Sequence, residues 1–282
     1  MALDENWFTE VCTEGGSAFS LKIVRKLHEE TTDFQKIEIY ETTDFGNFMV
    51  IDGFTMVTTR DNFLYHEMMS HPPLFTHPQP SNVLVIGGGD CGTLREVLKH
   101  PEVTKAQLVE IDERVTRLSE QYFPELCSAN NDPRAELHFV DGIKWVADAE
   151  PGSYDVIIVD STDPIGPAEG LFNEAFYRNC HKALGEHGIL VQQSESPLYH
   201  LNLIHEMRTA MRNSGFSDLR TYDFPQPIYP TGWWSATMAR KTGRFDAIRE
   251  HEADNRPFKT RYYSLARHRV SMEDLPVVVE SE

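Results

Sequence analysis

Cysteine is scarce in this sequence of 282 residues, and its spacing excludes two classes of cross-linked protein. No two cysteines form a C-x-x-C pair, and all of them are far apart along the chain. A disulfide framework and a cysteine-based zinc site both require closer, repeated spacings. We therefore expect reduced thiols at Cys12, Cys91, Cys127 and Cys180.

Basic residues are also few, since 26 Lys and Arg stand against 44 Asp and Glu and leave a formal net charge of −18. No cluster of Lys or Arg offers the basic face that a nucleic-acid-binding protein needs, so nucleic acid is excluded as a partner. An acidic surface attracts cationic small molecules, but it also keeps proteins soluble, and charge alone leaves both interpretations open.

Long apolar runs are missing as well. The first eight residues lack the basic stretch and apolar core of a signal peptide, and no later segment approaches the roughly 18 apolar residues of a membrane span. We expect a cytoplasmic protein with no membrane partner. The 40% hydrophobic and 11% aromatic content is that of a folded globular chain with a substantial core.

The first part of the chain has the pattern of a small antiparallel β unit. Residues 35–41 and 47–52 form short apolar or alternating runs, and turn residues separate them. A helix is predicted around residues 62–70, and His71-Pro72-Pro73 is expected to end it. We place the domain boundary near residues 72–80, which gives an N-terminal β domain at 1–75 and a catalytic domain at 76–282.

From residue 82 onward, apolar strands alternate with helices. Strands that are apolar throughout indicate a parallel sheet covered on both faces, so we predict a doubly wound α/β domain. The predicted strands are residues 83–86, 106–111, 137–140, 154–159 and 188–191, and the first two predicted helices are residues 94–100 and 113–122.

A glycine-rich loop follows the first of these strands. Gly87, Gly89 and Gly92 fit the pattern G-x-G-x-x-G between a strand and a helix, where glycine lets the backbone approach a nucleotide closely. Glu110, at the end of the second strand, is placed to accept both ribose hydroxyls. The loop predicts an adenosine-containing ligand; the alternative is a tight turn beside a surface acid.

Asp90 within this loop narrows the type of ligand. A carboxylate there repels the pyrophosphate of a dinucleotide, whereas it attracts a nucleoside sulfonium such as S-adenosylmethionine, which has adenosine and a positive charge but no phosphate. The loop therefore favours a transferase over a dehydrogenase.

Further acids follow two of the later strands. Ligands of open α/β sheets bind at the carboxyl ends of strands, so we expect Asp141, Asp160 and Asp163 to share one pocket with Asp90 and Glu110. Asp141 is suited to accept from an adenine amino group, which leaves Asp160 and Asp163 for a basic second substrate. Capping of the turn before the following proline is the alternative role for the latter pair.

Two other motifs are less decisive. His66 and His71 resemble H-E-x-x-H with one residue too many, so they lie about 140° apart on a helix, and we predict no metal. Trp233-Trp234 and Tyr229-Pro230 are equally compatible with a pocket for an aliphatic chain and with core packing.

Taken together, these motifs resemble the polyamine aminopropyltransferase family along nearly the whole chain. The most specific is DSTDPIGPAEGLF at residues 160–172. The resemblance implies a small N-terminal β domain followed by a Rossmann-like, methyltransferase-type domain. The other shared motifs are QKIEIYE at 35–41, YHE at 65–67, GGGD at 87–90, VEID at 109–112, QSESP at 193–197 and IYP at 228–230.

The resemblance also implies a reaction and its residues. An aminopropyl group passes from decarboxylated S-adenosylmethionine to putrescine, giving spermidine and methylthioadenosine, without a cofactor and in a homodimer or homotetramer. Asp160 matches the proton acceptor of the family. Positions that match the amine site are Tyr65, His66, Asp90, Ser161, Thr162, Asp163, Gln193 and Tyr229. Positions assigned to the methylthioadenosine portion, with the loop glycines, are Gln35, Gly87, Gly88, Gly89, Glu110, Asp141, Gly142 and Pro167.

The sequence departs from the family at two places. Cys91 stands where the family loop reads GGGDGG, and it is strained if that position needs a positive φ. The segment at residues 261–276 also differs, which we expect to affect packing and not chemistry. Three alternatives stay open: another amine acceptor (cadaverine, agmatine or spermidine), a methyltransferase that uses intact S-adenosylmethionine, and a polyamine-binding protein without activity.

Overall fold

The computed structural model describes residues 3–13, 15–163 and 166–279 of the chain, without the side chains of 166 and 167. Five N-terminal strands form an antiparallel sheet in the order of the sequence, which confirms the predicted antiparallel β unit and adds three further strands to the two runs predicted for it. Asp52 and Gly53, both at positive φ, make the tight turn between the last two strands. The strands are β1 (Trp7–Cys12), β2 (Ser17–Thr31), β3 (Lys36–Thr42), β4 (Asn47–Ile51) and β5 (Phe54–Thr58).

Helix α1 (Asn62–Thr76) follows this sheet and is longer than predicted. The expectation that His71-Pro72-Pro73 ends the helix is wrong, because the helix continues through both prolines. Pro72 has no N–H for the carbonyl of Met68, and the Tyr222 hydroxyl donates to that carbonyl instead, at 2.8 Å. Nearly all side chains of α1 are buried, so packing holds the prolines in helical conformation.

The second sheet has seven strands in the order β11-β12-β10-β9-β6-β7-β8. Strands β6 to β10 pair in parallel, and β12 is antiparallel to both of its neighbours. The five predicted parallel strands are confirmed. The strands are β6 (Asn82–Gly87), β7 (Lys105–Glu110), β8 (Ala135–Phe139), β9 (Tyr154–Asp160), β10 (Leu184–Gln193), β11 (Asp218–Pro225) and β12 (Trp233–Arg240).

Helices cover both faces of this sheet, which confirms the Rossmann-like, doubly wound fold. One face packs against α1 and α2 through side chains such as Met68 and Leu94, and the other packs against α4 to α6 through Val146, Phe176 and Met207. The helices after α1 are α2 (Gly92–Leu98), α3 (Glu113–Tyr122), α4 (Gly142–Asp148), α5 (Glu174–Ala183), α6 (Leu201–Asn213), α7 (Glu250–Asp254), α8 (Leu265–Ser271) and α9 (Pro276–Val279).

The two sheets meet around α3. Ile37, Ile39 and Met49 of the N-terminal sheet share a buried apolar cluster with Val115 and Leu118 of α3. The N-terminal sheet therefore lies against the carboxyl ends of β6 and β9, where the strand order reverses and where open α/β sheets bind ligands. Across the described part of the chain, no helix has the length and apolarity required to cross a bilayer.

Candidate functional site

A cavity of about 160 Å³ lies between the two sheets, at the carboxyl ends of the central parallel strands. Among its described lining residues there is no Lys or Arg. Fourteen of the predicted site residues line it: Gln35, Tyr65, His66, Gly87, Gly88, Gly89, Asp90, Glu110, Asp141, Gly142, Asp160, Ser161, Thr162 and Tyr229.

A second, smaller cavity of about 40 Å³ continues from the first. Tyr65 and Tyr229 line both, and Asp163 and Gln193 line the second alone. The expected convergence of five carboxylates is therefore divided: four face the large cavity, and Asp163 faces the small one. The side chain of Pro167 lies outside what the structure describes.

The glycine loop is folded tightly onto the end of β9. Gly87 and Gly88 have φ of 78° and 65°, and a Cβ at Gly87 would come within 2.3 Å of the Asp160 carbonyl oxygen. The Gly88 N–H donates to the same oxygen at 2.7 Å. Cys91 has φ of 68°, a positive value that is unfavourable for a residue with a Cβ, so the backbone is strained here as expected. The loop thereby places Asp90 beside Asp160.

Glu110 is the acid that lies beside Gly89 in the large cavity. It is buried, its Oε1 accepts from the Asp112 N–H at 2.9 Å, and burial raises the pKa of its carboxyl to about 7. Gln35 contacts Asp112, since its Nε2 donates to Oδ2 at 3.0 Å. Asp112 thus joins the N-terminal sheet to the site. The sequence contained this residue in VEID, but only Glu110 was assigned a role.

Asp141 has two possible roles at the same cavity. Its Oδ1 caps α4 by accepting from the N–H groups of Ile143 at 2.8 Å and Lys144 at 3.3 Å, and the side chain also lines the large cavity. The cap fixes the carboxylate at the edge of the cavity, where its Oδ2 lies 3.8 Å from Nζ of the exposed Lys144.

His66 and Asp90 form a pair in the lining of the large cavity. Nε2 of His66 lies 3.0 Å from Oδ2 of Asp90, and Oδ1 of Asp90 accepts from the Gly92 N–H at 2.7 Å. Burial alone would lower the pKa of His66 and raise that of Asp90, but their mutual attraction outweighs burial, so the pKa of His66 is raised and that of Asp90 is lowered.

Gly92 makes room for the His66 ring. A Cβ at this position would come within 2.1 Å of Cε1 of His66. Every residue other than glycine has a Cβ and would therefore clash with the ring. His71 lies on another side of α1, where its Nδ1 is 2.9 Å from His100 and its Nε2 is 3.2 Å from Glu96. The two histidines of the H-E-x-x-x-H segment therefore contact different groups.

Asp160 lines the large cavity, next to Ser161 and Thr162, which line both cavities, and each of its carboxylate oxygens accepts one hydrogen bond. The Tyr65 hydroxyl donates to Oδ1 at 2.7 Å, and the Thr93 hydroxyl donates to Oδ2 at 2.6 Å. Burial, followed by the nearby Asp90 carboxylate, raises the pKa of Asp160. Burial also keeps the pKa of Tyr65 well above its usual value, so Tyr65 stays a neutral donor. No local sequence pattern indicates a role for Thr93.

The far end of the small cavity is acidic. Glu10 lines it and accepts from the Thr55 N–H at 2.7 Å, and Glu195 lies behind Gln193, whose Nε2 donates to it at 3.0 Å. Burial and then the neighbouring Asp163 raise the pKa of Glu195 well above its usual value. Sequence analysis missed both glutamates. Glu195 belongs to the QSESP motif, whereas Glu10 lies in a strand that was not predicted.

Aromatic side chains form the wall between the ends of the small cavity. The Tyr229 hydroxyl donates to the Met56 carbonyl at 2.8 Å, and the Trp234 ring packs edge-on against Tyr229 with centroids 4.7 Å apart. Trp234 and Pro230 line the cavity, whereas Trp233 donates from its indole to Asp223 at 2.5 Å. Tyr229, Pro230 and Trp234 thus form an apolar wall of the small cavity, and Trp233 does not contribute to it.

Comparison with known proteins gives consistent results along the chain. Residues 62–248 match the model of the spermine/spermidine synthase domain, and residues 6–59 match that of the spermidine synthase tetramerisation domain. The polyamine aminopropyltransferase of Methylococcus capsulatus is 65% identical over 95% of this chain and 93% of its own length. That of Nitrosococcus oceani is 62% identical over 96% and 95%.

Two solved structures have the same fold. A spermidine synthase crystallised with the transition-state analogue AdoDATO has a TM-score of 0.93 and 36% identity, with 100% of this chain and 96% of the other covered. The spermidine synthase of Thermotoga maritima has a TM-score of 0.91 and 36% identity, with 98% and 93% covered.

Proposed function

Because the chain belongs to the spermine/spermidine synthase family and is a polyamine aminopropyltransferase, we propose that decarboxylated S-adenosylmethionine is its donor and putrescine its acceptor. One observation carries the proposal: Asp160 lines the large cavity, which also contains Glu110, and the next residues, Ser161 and Thr162, line both that cavity and the small one with its acidic far end. A diamine needs a carboxylate at each end and an apolar wall between them.

The large cavity suits the donor. Glu110 lies beside the glycine loop, where a carboxylate accepts from ribose hydroxyls, and Asp141 is available to the adenine amino group. The donor brings a sulfonium and an ammonium group, both of which favour the carboxylates of Asp90 and Asp160. Intact S-adenosylmethionine would bring its own carboxylate toward these acids, which argues against a methyltransferase.

The small cavity suits the acceptor. One ammonium of putrescine would lie near Glu10, Asp163 and Glu195, and its methylene chain would pass Tyr229 and Trp234. The other nitrogen then lies at Asp160. The described lining of this cavity contains no Lys, Arg or His; Glu195, which lies behind it, has Nδ1 of His200 at 3.5 Å.

The reaction needs a neutral nitrogen, and Asp160 is the group proposed to provide it. A primary amine with a pKa of about 10.4 is only about 0.04% neutral at pH 7, so exposing its lone pair costs roughly 4–5 kcal/mol. The N–C bond forms as the C–S bond breaks, methylthioadenosine leaves neutral, and the amine proton passes to Asp160. Alignment of the nitrogen with the carbon next to sulfur supplies the remaining acceleration.

We also propose that the N-terminal sheet joins copies of this chain in a homotetramer. Support comes from the match of residues 6–59 to a tetramerisation domain and from the exposed apolar side chains Val11 and Val24 on β1 and β2. Sedimentation equilibrium tests this: four copies support the proposal, and a monomer or dimer contradicts it.

Release of methylthioadenosine from the purified protein tests the reaction. Decarboxylated S-adenosylmethionine is supplied with putrescine, cadaverine, agmatine or spermidine, and intact S-adenosylmethionine is the control. Methylthioadenosine release that depends on putrescine supports the proposal. Release with only one of the other amines contradicts putrescine as the acceptor and identifies that amine instead. Silence with all four favours the polyamine-binding alternative, and methyl transfer from the control favours a methyltransferase.

The variant Asp160→Asn tests the role of the proton acceptor. We expect turnover to fall by at least about a hundredfold, because an amide does not take up the amine proton. Affinity for methylthioadenosine should stay within about twofold, since Glu110 and the glycine loop are intact. Turnover equal to that of the unmodified protein would remove Asp160 from the mechanism.

A further inference from the structure

Thr93 is a buried residue whose hydroxyl has no role in the proposed reaction as described above. It is the second residue of α2, its exposed fraction is 0%, and its Oγ1 lies 2.6 Å from Oδ2 of Asp160. It does not line either cavity. Thr93 therefore contacts the proton acceptor from the side away from the substrates.

The contacts around Asp160 divide its carboxylate between two donors. Tyr65 holds Oδ1 from α1, and Thr93 holds Oδ2 from α2. The backbone of Gly88 closes a third side, since a Cβ there would come within 2.8 Å of Oδ2. The carboxylate is thus held on three sides, and Asp160 lines the large cavity on the side that remains.

We propose that Thr93 is a positioning residue: its hydroxyl holds Oδ2 of Asp160 so that the carboxylate stays ionised and oriented toward the acceptor amine. This inference rests on the proposed function, because it assigns Thr93 a role only through Asp160. A buried carboxylate that must accept a proton needs donors that favour its charged form, and a hydroxyl donates without adding a competing charge.

Charged and titratable side chains from one helix and two loops surround Asp160. Tyr65 and His66 come from α1, Asp90 from the glycine loop, and Tyr229 from the loop before β12. Burial and Asp90 disfavour the ionised form of Asp160, whereas His66 and the hydrogen bonds from Thr93 and Tyr65 favour it. Removal of the Thr93 hydroxyl takes away one of the interactions that lower the pKa of Asp160, so burial and Asp90 raise that pKa further.

The substitution Thr93→Val removes the hydroxyl and keeps the shape of the side chain. We expect the acid limb of the kcat–pH profile to move upward by about one pH unit or more, because a hydrogen bond to a charged group is lost. The KM for the amine should change less than about twofold, since Thr93 touches no cavity. Thr93→Ser keeps the hydroxyl and should restore the profile.

A matched control separates this effect from a general loss of stability. Thr58 is also fully buried and its hydroxyl donates to a buried aspartate, Asp61, away from Asp160. Thr58→Val should lower the melting temperature while the pH profile stays in place. If Thr93→Val fails to fold, Thr93→Ala and Thr93→Ser are compared in the same way.

A measurement without turnover keeps the inference separate from the proposed function. The 13C NMR titration of the Asp160 carboxyl, assigned with Asp160→Asn, should move to higher pH in Thr93→Val and return in Thr93→Ser. An unmoved titration overturns the inference even in an active enzyme. A moved titration in a protein without aminopropyl transfer overturns the proposed function and leaves the Thr93–Asp160 coupling intact.

Discussion

At the scale of single residues, Cys91 shows how the loop tolerates a departure from glycine. Its φ of 68° is disfavoured for any residue with a Cβ, yet its side chain is fully buried and its thiol lies 3.6 Å from the Gly89 carbonyl oxygen. Packing of the side chain therefore offsets the strain of the backbone. The loop therefore has at Cys91 the positive φ that glycine favours, although the residue is not glycine.

A pair of substitutions at this position separates strain from packing. Cys91→Ala and Cys91→Gly both remove the thiol, but only glycine relieves the positive φ. We expect Cys91→Gly to be more stable than Cys91→Ala by about 1 kcal/mol, because alanine keeps the strain. Urea denaturation of the two variants measures the difference; equal stabilities would show that the backbone there is not strained.

The residues of the site were predictable to the extent that they belong to local motifs. Asp90, Glu110 and Asp160 follow strands whose apolar pattern is strong, so their convergence on one edge of the sheet follows from topology. Thr93 and Glu10 matter through contacts with residues distant in sequence, and a short local pattern contains no information about such contacts.

At the scale of elements, α1 was the least predictable from sequence. Local rules end a helix at two prolines, but burial and the Tyr222 hydroxyl outweigh those rules. Strands β11 and β12 were also missed. They form the antiparallel edge of a sheet that was predicted as parallel, in which β12 pairs with β10 and β11 pairs with β12. The division of the chain into residues 1–75 and 76–282 stays a prediction.

The same helix anchors the segment near the C-terminus. The Glu67 carboxylate, buried within α1, accepts from the backbone N–H groups of Arg261, Tyr262 and Tyr263, each at 2.8 Å. Glu67 follows Tyr65 and His66 directly. The segment that departs from the family pattern is thus held against the helix that supplies two residues of the site.

Substitution of Glu67 tests this anchor. Glu67→Gln replaces one acceptor oxygen by an amide group that meets a backbone donor, so we expect a loss of about 2 kcal/mol or more in the free energy of unfolding. The control Glu250→Gln breaks an exposed ion pair with Arg269, which solvent screens, and should change the free energy of unfolding far less than Glu67→Gln does. Similar costs for the two variants in chemical denaturation would contradict the anchoring role.

At the scale of the whole molecule, charge and shape act together. The net charge of −18 surrounds a site that opens between two sheets and whose described lining contains several carboxylates. Charge alone left solubility and substrate attraction equally open. The position of the acids at the cavities favours attraction, because a low-dielectric cleft of one sign concentrates ions of the other.

Ionic strength tests this attraction. We expect kcat/KM for putrescine to fall about threefold to tenfold between about 20 and 500 mM NaCl, because salt screens the long-range field. Binding of methylthioadenosine, which is neutral, serves as the control and should change little over the same range. If both respond equally to salt, or neither responds, the surface charge serves solubility and not capture of the substrate.

The space at Gly92 has a use in searches for related enzymes. The last glycine of a G-x-G-x-x-G pattern is commonly taken as a nucleotide signature, but here it admits the ring of a histidine from the preceding helix. A search that requires this glycine together with a Tyr-His pair upstream would therefore separate chains with this paired site from dehydrogenases whose loops match equally well. When such sequences are classified, the glycine and the histidine are best required together and not scored as two separate positions.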